Sequence, residues 1–190
     1  QEGKTFLPVL FNETVSNYYH DAVSNKDREE IVANKASGMT SDMITQFTGK
    51  MYEGVNIYDN YIMLTDIGLI SPVNSLGSEY YRYYLLDSTL VDGCKVFELS
   101  FRPRLPQEPV FTGKIWVADS TYALTKVEIK LSEKANVNFI NSFQYSASFR
   151  KSGDHWVPAK ENMVVDLDVV KDKKSDKMGL IGRKSNIFED

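Results

Sequence analysis

A chain of 190 residues with 42% hydrophobic, 25% charged and 12% aromatic residues is long enough to bury a core and too apolar for a disordered segment. A net charge of −4 and a pI near 5.3 argue against a duplex nucleic-acid binder, which needs a basic stripe to neutralise phosphates. One cysteine, Cys94, excludes an internal disulfide and metal sites built from several thiolates. No stretch of about 18 apolar residues is present, so no transmembrane helix is predicted. The chain opens QEGKTF, without an initiator Met or a signal peptide, and reads as a piece excised from a larger protein.

FLPVLFNETVSNYYHD (6–21) is β-branched and aromatic enough for an edge strand, with Pro8 limiting ladder donation. NKDREEIVANKASG (25–38) reads as a helix, with Asn25 or Asp27 as cap, acids in the first turn and Gly38 as its stop. MTSDMITQFTGKMY (39–52) reads as a second helix. Thr40 or Ser41 can cap it, and Met43, Ile44, Phe47 and Met51 share one apolar face. YDNYIMLTDIGLISPVNSLGSEYY (58–81) is either a bent strand or a turn-rich crossover.

From residue 79 onward the period changes to two. Phe97, Leu99 and Phe101 alternate with Glu98 and Ser100, and Val127, Ile129 and Leu131 with Lys126, Glu128 and Lys130. Phe143, Tyr145, Ala147 and Phe149 form a third such set, and Met163, Val165, Leu167 and Val169 flank Asp166 and Asp168. DSTLVDG (87–93), ADST (118–121), KSGDH (151–155) and KDKKSDK (171–177) have the composition of hairpin turns. Six to eight antiparallel strands with one wet face follow. The predicted fold is α+β and mainly antiparallel β: a curved meander sheet, shaped as a half-barrel, with two helices packed on its concave side. We read 1–190 as a single domain with a mixed part (1–78) and a meander (79–190).

Chemistry-bearing motifs are sparse. His20 and His155 lack the spacing of a helical metal site, and no nucleophile elbow, P-loop or dinucleotide fingerprint is present. Asp166 and Asp168 point the same way on a predicted strand, which suits a cation or simply a solvated face. No catalytic, cofactor-binding or metal-binding residue is assigned, and the chain reads as a non-enzyme. In EYYRYYL, Tyr81 and Tyr83 share a face opposite Tyr80, Arg82 and Tyr84. Tyr81 and Tyr83, with Trp116 and the helical Met43, Ile44 and Phe47, are candidates for a cavity wall or an interface, or for plain sheet packing. FRPRLPQEPVFTGKIW (101–116) holds Arg102 and Arg104 between prolines. Two fixed arginines can clamp an anion, but a stiff hairpin connector explains the stretch, which leaves both as candidate surface contacts. Gly113 marks a bulge or a close backbone approach.

PVLFNETVSNYY, REEIVANKASG, SPVNSLGSEYYRYYLLDS, FELSFRPR, VFTGKIWVADSTYALTKVEIKL and NVNFINSFQY, in this order, resemble a family of outer-membrane proteins from Bacteroides-type bacteria. In that family the matching region lies between a carboxypeptidase-regulatory-like domain and an outer-membrane β-barrel. The resemblance implies a periplasmic, outer-membrane-associated module whose partners are other domains of the same envelope protein or another envelope protein. IWVADSTYALTKVEI, after a strand ending in proline and charge, is also similar to the lipoprotein-carrier half-barrel. That likeness implies an alternative, binding of a lipid or acyl chain in an apolar concavity.

Overall fold

The computed structural model describes residues 7–21, 24, 26–39, 41–52, 54–64, 67–105, 107–135, 137, 139–168 and 179–189. The chain divides into two compact units, 1–52 and 53–190.

The first unit holds an antiparallel hairpin of β1 (Leu10–Asp21) and β2 (Lys26–Gly38), followed by α1 (Asp42–Tyr52). The strand at 10–21 agrees with the sequence. The helix expected over 25–38 is instead β2. A helix there would gather only Ile31, Val32 and two alanines into an apolar stripe, too little for so short a helix to dock by. As a strand, the same charges gain partners across the ladder: Glu13 faces Lys35, Tyr19 faces Arg28 and Asp21 faces Lys26. The register slips between Val15 and Ser16, where Val32 is the extra, bulged residue of β2. Gly38, the expected helix stop, has φ +124° and ends the strand where a Cβ would meet Val9 O at 2.2 Å. α1 forms as expected, capped by Ser41, whose Oγ accepts from Ile44 N at 3.3 Å. Thr40 lies outside the described residues.

The second unit begins with a short hairpin, β3 (Tyr61–Leu64) and β4 (Ile67–Ile70), then a single helical turn, α2 (Gly77–Tyr80). Residues 58–81 are therefore a hairpin plus turns. The meander follows: β5 (Tyr81–Val91), β6 (Cys94–Pro103), β7 (Phe111–Ala118), β8 (Leu124–Leu131), β9 (Ile140–Ser152), β10 (His155–Asp168) and β11 (Gly179–Ile187). All seven pair in chain order as one antiparallel, curved sheet that does not close into a barrel. β5 runs on through residues 87–91, which had the look of a connector. The turn is Asp92 and Gly93 alone, with φ 49° and 74°. The expected turn at 171–177, and Val169, lie outside the described residues.

Register places Phe101, Ile115, Val127, Ile129, Phe143, Tyr145, Met163 and Val165 on one face, all buried. Lys126, Glu128 and Lys130 occupy the other, exposed to water. The fold class is thus α+β with a dominant antiparallel sheet. Within the second unit, however, the apolar face is covered by residues 54–64 and 67–76 and not by a long helix.

Candidate functional site

The residues that decide what the sheet face can do are three tyrosines. Tyr81 and Tyr83 on β5 are two apart, hence on one face, and Tyr145 of β9 shares it through the intervening register. Each donates its hydroxyl to a carbonyl of the segment crossing above the sheet: Tyr81 to Ile70 O, Tyr83 to Pro72 O at 2.6 Å, and Tyr145 to Val55 O at 3.4 Å. Tyr81 also accepts from Phe111 N at 3.1 Å, so one hydroxyl ties three strands.

The segment is fixed from its own side as well. Ile70 N donates to Pro109 O at 3.0 Å, Tyr58 Oη accepts from Leu124 N at 3.0 Å, and Ser71 Oγ donates to Ile57 O at 2.6 Å. Ile57, Ile62, Leu64, Leu69 and Ile70 are buried, Leu69 completely. Tyr81 packs edge-on to Phe101, with ring centroids 5.3 Å apart, and Phe111 meets Phe143 at 5.8 Å. These contacts make the covered face a packed core.

Burial dominates the electrostatics. It pushes the Tyr83 hydroxyl up to about 12 and raises those of Tyr81 and Tyr145 further, Tyr145 also through the Glu161 carboxylate it donates to at 3.0 Å. Beside Tyr145, residues Gly54, Val55, Glu161 and Met163 line a pocket of about 10 Å³, no more than one water fills.

The structure thus brings Tyr81 and Tyr83 together and gives them a sealing role. Trp116 is on the opposite face, opposite Glu98 in register, with Lys126 Nζ 4.5 Å from its ring centre. Ile44 and Phe47 are half-buried on α1 of the first unit, and Met43 belongs to the same helix. Arg102 is exposed on β6. Arg104 follows the strand end, its Nε donating to Ser78 O at 2.8 Å. Gly113 is a close approach, for a Cβ there would lie 2.0 Å from Glu128 O. Asp166 and Asp168 share the wet face, where Asn141 Nδ2 donates to both at 3.2 and 2.8 Å. His20 on β1 and His155 at the start of β10 are exposed. Among the described residues no three His, Cys, Asp or Glu side chains gather as a metal site, and no helix is long and apolar enough to cross a membrane. Sequence reasoning did not find Tyr58 and Tyr145 as fasteners. The donor to Tyr58 is 66 residues away and the acceptor from Tyr145 is 90 away, and the only signal was alternation of Tyr145 with the strand's apolar set.

Residues 5–177 match the model of a family of unknown function, DUF5686. The chain belongs to that family. The match spans most of both units, and β11 of the second lies beyond it. No curated protein and no solved structure matches the chain.

Proposed function

We propose that this member of DUF5686 is a non-enzymatic binding or assembly module, working in the periplasm beside the outer membrane. The observation that carries the reading is the β1–β2 hairpin. On a ribbon of only two strands, Phe11 and Val15 lie on one face and Tyr18 and Ile31 on the other, with Val32 at the bulge, and all five are more than half exposed. Such ribbons are marginal in water, and apolar side chains left exposed on both faces mark surfaces that another protein covers. The periplasmic setting is supported by the resemblance to outer-membrane proteins. The non-enzymatic reading is supported by the engagement of the best chemical pair, Asp166 and Asp168, with Asn141. Lipid carriage is less well supported, because Ile57, Ile62, Leu64, Leu69 and Ile70 lie buried where an acyl chain would sit and the pocket beside Tyr145 has about 10 Å³.

A photo-crosslinking residue placed at Tyr18 or Val32, in cells making this chain in its native setting, is expected to capture a discrete envelope protein. The same residue at Tyr122, 79% exposed on the turn after β7, serves as control. Equal labelling at all three positions, or none at Tyr18 and Val32, contradicts the proposal. Lipid found by native mass spectrometry after detergent-free purification would favour carriage instead.

A further inference from the structure

Arg82 on β5 and Arg102 on β6 stand directly opposite each other in the ladder, both exposed on the wet face of the sheet. Side chains so paired have Cβ atoms about 4.5–5.5 Å apart, and like charges there repel. Elsewhere on this face three lysines have acid partners, while Lys160 and Arg183 are exposed without one among the described residues but face no like charge across the ladder. Lys114 pairs with Glu98 at 2.7 Å, Lys126 with Glu128 at 2.6 Å and Lys130 with Glu133 at 3.7 Å. Among the described residues no acid pairs with Arg82 or Arg102. Arg104 adds a third guanidinium at the same strand end, held through Nε to Ser78 O and through its main-chain N to Tyr80 O at 2.7 Å. In a chain of net charge −4, three arginines without a paired acid are a local reversal of sign.

We infer that Arg82 and Arg102 bind a phosphoryl group, with Arg104 at its margin. Two guanidinium forks side by side offer more donors than the two oxygens of one carboxylate use, whereas a phosphoryl group brings three oxygens and about −1.5 to −2 charges to offset both cations. The ligand cancels the repulsion the ladder otherwise carries, so binding and folding are coupled favourably. The phosphoryl group can come from free phosphate or from a lipid phosphomonoester such as phosphatidic acid, a phosphodiester headgroup having only two free oxygens and one charge.

The test is titration of the whole chain with inorganic phosphate at constant ionic strength, followed by melting temperature and calorimetry. The expected result is saturable stabilisation that R82Q and R102Q each weaken at least about tenfold, while K114Q retains it. Ligand-free R82Q and R102Q are expected to melt no lower than the wild type, because removing one guanidinium removes the repulsion. Sedimentation with phosphatidic acid and phosphatidylcholine vesicles separates the sources. Binding to the former alone, lost in R102Q, assigns the headgroup, and binding of inorganic phosphate alone assigns the free anion. The inference is overturned if neither probe binds, if R82Q and R102Q bind like the wild type, or if the ligand-free variants are destabilised.

Discussion

The hydroxyl of Tyr81 donates to Ile70 O and accepts from Phe111 N, in a residue with no exposed surface. Tyr81→Phe removes both bonds and leaves two buried main-chain groups unsatisfied, which costs about 1–3 kcal/mol for each that water does not reach. Denaturant unfolding is expected to show that loss, with a smaller one for Tyr83→Phe because Tyr83 is 37% exposed. The same tyrosines set an alkaline limit. Their folded pKa values lie above the ordinary value near 10, so the folded state holds these protons more tightly than the unfolded chain. Their contribution is complete below pH about 10 and is lost as pH rises, through about 12 in the case of Tyr83. Tyrosinate absorbance of these three should therefore rise together with loss of near-ultraviolet circular dichroism. A rise that precedes unfolding would contradict their burial. At this scale the sequence disclosed which face Tyr81 and Tyr83 take, because alternation is local. Their acceptors were hidden in 58–81, where turn signals interrupt an apolar run.

Among elements, the seven strands of the meander were legible because each alternates by itself and each connection is short. β2 was not. Its Glu, Lys and Ala are good helix formers, but propensity differences of about 0.7 kcal/mol or less per residue yield to a ladder whose opposed charges each add about 0.2–1 kcal/mol. The aromatic and β-branched β1 alongside it cannot persist unpaired, and only the pairing reveals that. Gly113 is an element-scale contact of a different kind. It faces Ile129 in register, and β8 comes so near that a Cβ would lie 2.0 Å from Glu128 O and 3.0 Å from Ile129 Cα. Both obstacles are backbone, so neither can rotate away. Gly113→Ala is expected to lower stability by about 1–3 kcal/mol or more, read as a lower denaturant midpoint with an unchanged slope. A neutral result would mean that β7 and β8 are further apart than described.

Across the molecule, one feature decides what surface is on offer: the second unit closes its own sheet face. The sequence predicted a curved sheet and an apolar face needing cover, and it offered the Met43, Ile44 and Phe47 helix as that cover. The cover found in the second unit has no long element to announce it. β3 and β4 are four residues each, too short for periodicity to distinguish them from a turn-rich loop, and their burial comes from the sheet beneath. If the face is sealed, interaction falls to outward surfaces such as the β1–β2 hairpin and the arginine pair. If it opens, the molecule has a cavity to offer. Native-state amide hydrogen exchange by NMR separates these directly at Ile70, Phe111 and Leu124, whose N–H groups bond Pro109 O, Tyr81 Oη and Tyr58 Oη. The account predicts that all three exchange as slowly as Val127 and Tyr145 in the middle of the sheet. Exchange at Ile70 and Leu124 orders of magnitude faster than at those two would show a cover that lifts, and would contradict it.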